Sequence, residues 1–144
     1  GVLYDVVDDP GSLSPGALRE AYEAELRAAI DGRDTADIAA ETGVDEAILD
    51  RIAGGDPLPD LSVDDAAAVL ALREGVRDAE TVRLELQDHM MVSMAAAVLD
   101  VDTVAANIDH DLTGQEVQQA LEGRTTMTLA QLAAIQQFVA ERGS

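Results

Sequence analysis

Lysine and cysteine are absent from this chain of 144 residues, and aromatic side chains are nearly so. Without cysteine there is no disulfide, no thiolate metal site and no cysteine nucleophile. Without lysine there is no catalytic lysine amine, and all nine basic residues are arginine. Tyr4, Tyr22 and Phe138 are the whole aromatic set, so a core must be built from aliphatic side chains and methionine, which suits helix packing. Long apolar runs are missing as well. The most apolar stretch, Met90 to Leu99, has about half of the ~20 residues that cross a bilayer, and it reads as a buried helix segment. The N-terminal GVLYDVVDDPGS has neither the basic nor the apolar region of a signal peptide and no twin arginine. A cytoplasmic protein is expected.

What is abundant is carboxylate: 18 Asp and 11 Glu give a net charge of -20. A dense carboxylate shell with few flexible, apolar-stemmed cations keeps a surface hydrated in competition with multimolar salt. The acidity therefore speaks of environment before it speaks of partners. Apolar residues make up 47% of the chain, enough to bury a core in one or two small domains.

Residues 2 to 7 alternate loosely and end at Asp8-Asp9-Pro10-Gly11, which predicts an extended N-terminal arm closed by a turn. Everything after it reads as helix. Ser14 caps a first long helix with Pro15 at its first position, and Leu18, Tyr22, Leu26 and Ile30 recur at helical spacing until Gly32. Short helices over 36–42 and 46–53 flank a turn at Gly43, a Gly-Gly-Asp-Pro-Leu-Pro loop spans 54–59, and Ser62 caps a fourth helix to about Glu74. Asp78 opens a long helix through Val82, Leu86, Met90 and Met94 whose later part, apolar on several sides, is expected to run through the centre of the molecule. Helices near 103–108, 113–122 and 128–141 follow, with capping-box spacing at Thr113/Glu116 and Thr128/Gln131.

The second half repeats the first. Ile38-Ala39-Ala40 matches Val104-Ala105-Ala106 at an offset of 66, and Leu61-Ser62-Val63 matches Met127-Thr128-Leu129 at the same offset. Between them Val44, Asp45, Leu49, Ala53 and Gly55 match Leu112, Thr113, Val117, Leu121 and Gly123 at 68. The two shifts place the length changes in turns, where a duplicated plan tolerates them. The division expected is an arm over 1–13, one unit over 14–77 and a second over 78–144, about eight helices in all, packed as one body.

The stretch IAAETGVDEAILDRI resembles the helix-turn-helix of the lambda-repressor/Cro-type domains. Ala39 stands where the helices cross, Gly43 at the tight turn, and Leu49 and Ile52 on the inner face of the second helix. The resemblance covers about residues 14–74 and, more loosely, 78–141. It implies a helix-turn-helix fold and raises DNA as a partner. Base readers of this class use Gln, Asn, Arg or Lys on the exposed face of the second helix. The first unit offers Asp45, Glu46 and Asp50 there with only Arg51 positive; the second offers Gln115, Gln118, Gln119 and Arg124, but has Asp109-His110-Asp111 in place of the turn glycine. No phosphate clamp is evident.

From 112 to 144, Glu116, Glu122 and Glu141 face Arg124 and Arg142, a balance of -1 that leaves -19 on the rest of the chain. A surface that gives up its carboxylates is a candidate interface, because an interface would have to desolvate them. Gln131, Gln136, Gln137 and Phe138 on the last helix thus become candidates for a protein partner or a homodimer through the C-terminal region, with burial inside the fold as the alternative.

Chemistry-bearing clusters are sparse. Asp109-His110-Asp111 reads as a solvated acidic turn, and Asp100 and Asp102 as turn and cap residues lacking the Gly and Glu of a calcium loop. His89 follows Glu85 by four residues, the spacing of a local ion pair, and Met90, Met91 and Met94 read as core filler. No phosphate loop, nucleophile elbow or Ser-His-Asp set is found. No catalytic residue, metal or cofactor is expected, and no membrane. The whole chain also resembles a haloarchaeal family of small uncharacterised proteins through LYDVVDDPGSLSPGALREAYEAEL, AVLDVDTVAANID and EVQQALEGRTTMTLAQ. That resemblance implies a shared architecture in salt-loving archaea and carries no activity or site residues. The reading is an all-α, non-catalytic interaction or regulatory module, with a sequence-specific DNA-binding regulator as the alternative.

Overall fold

The computed structural model describes residues 3–56, 61–73 and 78–143. Among these the protein is all-α, with eight helices: α1 (Pro15–Ile30), α2 (Thr35–Thr42), α3 (Glu46–Gly54), α4 (Val63–Leu70), α5 (Ala79–Ala96), α6 (Val101–Asn107), α7 (Gly114–Leu121) and α8 (Leu129–Gly143). Local chemistry explains where most of them begin. The side chains of Ser14, Ser62, Asp78 and Asp100 each accept the backbone N–H three residues on, satisfying one of the donors a helix start leaves over. At Thr113 the exchange is reciprocal, Thr113 accepting from Glu116 N and Glu116 from Thr113 N. Thr128 and Gln131 do the same at the start of α8.

The N-terminal segment differs from expectation. Leu3–Asp5 and Pro10–Ser12 are single 3-10 turns, not an extended arm. With Leu3 fully buried, the segment folds back on the body, and curling lets its apolar side chains face one way. Its second turn lies on the C-terminal end of α8. A Cβ on Gly11 would stand 2.7 Å from the backbone N of Glu141, so only glycine permits that approach. The fourth helix ends at Leu70, short of the expected Glu74; residues 57–60 and 74–77, where the Pro loop and the linker to α5 were expected, lie outside the described residues.

Packing is by helix pairs. α2 lies on α3, the chain reversing through Gly43 at φ +78, a left-handed conformation that glycine adopts without a Cβ penalty. Ile38, Val44, Leu49 and Ile52 are buried behind this pair. α6 lies on α7, with Val104, Val117 and Leu121 buried. The remaining four helices interlock: α4 packs on both α1 and α5, and α8 packs on both α1 and α5. Between α4 and α8 the chain makes one isolated antiparallel bridge, Ser62 to Thr128, with Val63 N donating to Met127 O and Leu129 N to Leu61 O, each at 2.8 Å.

The central helix is α8, which buries Leu129, Leu132, Ala133, Ala134, Ile135, Gln136, Phe138 and Val139. The sequence assigned that place to the later part of α5, and this is corrected. α5 buries one stripe only, Val82, Leu86, Met90 and Met94, and Met91, expected in the core, turns outward. The reason is helical phase: Met90 and Met94 are four apart on one face, whereas Met91 is about 100° round from Met90.

Candidate interaction surface

Each predicted contact residue has a definite place. Gln115, on the first turn of α7, is exposed, and Gln118 and Gln119 are half-buried on the same short helix. α7 packs on α5 and α6, through Val117, Ala120 and Leu121, leaving Gln115 and Glu116 to solvent. Arg124, in the turn beyond, is exposed and lies 3.7 Å from the carboxylate of Glu122. The corresponding face of α3 carries Glu46, Asp50 and Arg51, and Asp50 already accepts the Thr35 hydroxyl at 2.6 Å.

Gln136 belongs to the interior instead, and Gln137 is half-buried. Gln136 is 3% exposed; its Oε1 accepts the Tyr22 hydroxyl, and its Nε2 donates to the Tyr4 carbonyl at 3.0 Å. Both ends of the amide are used, so the expectation of Gln136 as a partner contact is overturned: a buried amide must be satisfied internally. Gln137 donates to Gly11 O at 3.3 Å and to Glu141 Oε2 at 2.8 Å, pinning the N-terminal turn to α8. The thin charge after residue 112 therefore follows from α8 being the central helix.

Polar side chains tie the helices together, both across the two halves and within the first. Asp64, on α4, accepts from Arg83 on α5 at 3.3 Å and from Thr126 before α8 at 2.9 Å. Arg73 pairs with Glu25 of α1, and Arg33 donates to Leu72 O at 2.9 Å. Burial and the neighbouring Glu85 carboxylate raise the Tyr4 hydroxyl above the ordinary tyrosine range. His89, expected beside Glu85, stacks on the Tyr4 ring, with centroids 4.8 Å apart, and its Nε2 stands 3.4 Å from Ser93 Oγ. Tyr4, His89 and Ser93 line a shallow groove with Asp5, Asp8 and Gln136, but there is no nucleophile with a base and an orienting third group in it. Asp100 is the N-cap of α6, and its hydrogen bond from Thr103 N lowers its pKa. Among the described residues no group of three or more acidic or histidine side chains is arranged to hold a metal ion, and no single helix is long and apolar enough to cross a membrane.

The feature that sequence reasoning missed is on α5. Leu84, Met91, Val92 and Val98 are exposed to 55, 47, 61 and 90%, and Ala95 and Ala96 are exposed beside them. Leu84 and Met91, seven apart, share one face of α5 with the exposed Asp88 between them, and Val98 lies just beyond the last helical residue, Ala96. From Met90 to Leu99 no side chain is charged. The apolarity on several sides was legible, but taken as a sign of all-round burial. Past the helix end Val98 has φ +55, the only non-glycine residue among those described with positive φ. Its N–H bonds Ala95 O, and Leu99 N bonds Met94 O, the pattern of a Schellman stop, in which that position is ordinarily glycine. A β-branched side chain there costs about 1–2 kcal/mol.

A model of the family of unknown function DUF5791 matches residues 18–142, from the first buried leucine of α1 to the last turn of α8. No curated protein and no solved structure matches the chain. With all eight helices inside or overlapping the matched span, the chain belongs to the family of unknown function DUF5791.

Proposed function

We propose that this protein is a non-catalytic interaction module that binds a protein partner through the bare apolar face of α5. The exposure of Leu84, Met91, Val92 and Val98 carries the reading. A chain of net charge -20 otherwise covers itself with carboxylates, and singly scattered apolar side chains are normal on a surface, whereas Met91, Val92, Ala95 and Ala96 are exposed together within the charge-free run Met90–Leu99, and clustered apolar exposure marks an interaction site.

The scaffold is read as two helix-turn-helix-like units, α1 to α4 and α5 to α8, joined face to face in the cytoplasm of a salt-loving archaeon. Any antiparallel bridge exchanges hydrogen bonds reciprocally, but here the segments that meet, Leu61–Val63 and Met127–Leu129, are the ones that match across the repeat. Contacts of α4 with α1 and α5 likewise mirror those of α8 with α5 and α1. That supports a fused pair related by a local two-fold axis, each unit completing the other's core.

Methionine oxidation is the test. Met91 is 47% exposed, whereas Met90, Met94 and Met127 are 1, 6 and 6% exposed and serve as internal controls. Peroxide should oxidise Met91 in the dilute purified protein and spare it in intact cells, where the partner covers it. Equal oxidation in both settings sinks the reading.

A second reading, a DNA-binding regulator, rests on the solvent-facing Gln115 of α7 with Gln118, Gln119 and Arg124 nearby. Gln and Arg are the side chains that read base edges, and at multimolar salt the screening length of about 3 Å mutes repulsion from phosphates. Selection of a discrete sequence from genomic fragments in KCl, lost on Gln115→Ala with Gln118→Ala, is its test; no enrichment removes it.

A further inference from the structure

We propose that the hollow between α4, α5 and the connection from α7 to α8 binds a small uncharged heterocycle of the nucleobase class, held by its hydrogen-bonding edge against the side-chain amide of Gln87. Such a site stands whether or not the α5 face takes a partner.

The hollow encloses about 250 Å³. Its floor is core: Leu86, Met90, Leu121 and Met127 line it and are each at most 6% exposed, so a ring seated there exchanges water for aliphatic contact. Asp64 of α4 and Arg83 and Gln87 of α5 stand in its walls, which puts it where the two halves of the chain meet, a common setting for ligand pockets. Gln87 is half-buried, and among the described residues nothing in the chain hydrogen-bonds its amide. That leaves a donor and an acceptor side by side in the wall. The amide rests over Gly123, where a Cβ would stand 2.5 Å from Gln87 Nε2, so a side chain at that position would displace it.

The fold does not dictate this lining. Buried residues put α1 and α5 in register at an offset of 64, Leu18, Tyr22, Leu26 and Ile30 against Val82, Leu86, Met90 and Met94, and Gly55 at φ +73 follows α3 as Gly123 at φ +76 follows α7. The equivalent hollow of the first half is lined by Arg19, Glu20, Glu23 and Arg27 with Gly55. Arg19 corresponds to Arg83, but Glu20 and Glu23 correspond to Leu84 and Gln87. Two carboxylates in one copy are thus a leucine and an idle amide in the other.

Charge within the hollow cancels, because Arg83 donates to Asp64 at 3.3 Å and Thr126 donates to the same carboxylate at 2.9 Å. A cation would meet the Arg83 guanidinium, and an anion the exposed Glu80 and Glu122 that also line the hollow. An uncharged ligand fits both. Gln87 then sets the edge it must present, a donor beside an acceptor, the pattern with which a glutamine amide makes two hydrogen bonds to adenine. Thr125 and the remaining N–H groups of Arg83 supply further partners. Volume sets the size. The hollow is smaller than the roughly 300–1,000 Å³ of pockets for drug-sized ligands, which suits a single base and not a dinucleotide.

Titration of the isotope-labelled protein in multimolar KCl with uracil or adenine reads the outcome by nuclear magnetic resonance. Either base is expected to shift the Gln87 side-chain amide signals and to saturate below about 10 mM. Gln87→Met keeps the length of the side chain and the helical signal but removes the paired hydrogen bonds, and should weaken binding at least about tenfold. Glu23→Gln, in the equivalent hollow of the first half, should leave binding unchanged. Uracil methylated at both ring nitrogens keeps the ring and its acceptors without an N–H donor, and should bind the wild-type chain at least about tenfold more weakly than uracil. No saturation by either base, equal affinity for the methylated ring, or tighter binding of an alkyl diamine overturns the proposal.

Discussion

Tyr22 donates its hydroxyl hydrogen to Gln136 across 114 positions of chain, and Gln136 passes the connection on to the Tyr4 carbonyl. One buried amide therefore joins α1, α8 and the N-terminal turn. Tyr22→Phe leaves Gln136 Oε1 buried without that donor and should cost about 1–3 kcal/mol in denaturant melts. Burial also pushes the Tyr22 phenol far above its ordinary value. A raised value in the folded state means that its stabilisation is whole below about pH 10 and is lost as pH rises beyond it, because only the unfolded chain gives up the proton. The Phe variant should show a shallower alkaline loss than the wild type; parallel curves would contradict the assignment.

Gly11 is a steric requirement. Its missing Cβ would lie 2.7 Å from Glu141 N and 2.9 Å from Ala140 C, both backbone atoms of α8. Gly11→Ala must push the N-terminal turn off the helix, with an expected loss of about 1–3 kcal/mol. Gly16→Ala is the control: nothing lies within 4 Å of its Cβ position, and in α1 it should be neutral or stabilising by up to about 1 kcal/mol. Equal effects at the two glycines would refute the close approach.

Val98→Gly tests strain. Relief of about 1–2 kcal/mol is partly offset by up to about 1 kcal/mol from the freer unfolded chain, so the protein should gain between about 0 and 2 kcal/mol. A clear loss would mean that the Val98 side chain, 90% exposed, makes a stabilising contact within the chain.

The Ser62–Thr128 bridge predicts coupling between distant caps. Ser62→Ala and Thr128→Ala each remove a helix cap worth about 1 kcal/mol. Because the two segments exchange backbone hydrogen bonds, the double variant should depart from additivity by about 0.5 kcal/mol or more, whereas Ser62→Ala with Asp100→Ala should be additive.

The helices and most of their starts could be read from the sequence because caps act over three residues: Ser14, Ser62, Asp78, Thr113 and Thr128 each engage the residue three positions on. Period is equally local, so the buried stripe Val82, Leu86, Met90, Met94 was legible. The N-terminal segment was misread because alternation over a few residues suits a 3-10 turn folded on a core as well as a strand. The candidate site was legible only in part. Gln115 kept its exposed position, but Gln136 went into the core because a helix's polar residues are buried when the helix is surrounded, and nothing local to α8 says that it is.

By itself the sequence determined an all-α chain with its caps, its turns and its acidity, all properties of neighbours along the backbone or of composition. The tertiary structure alone decided that α8 and not α5 occupies the centre, that Gln136 is an interior amide, and that Leu84, Met91, Val92 and Val98 are left uncovered. Burial depends on which helices meet, and those meetings are made by contacts such as Leu61 O with Leu129 N, between residues far apart in the chain.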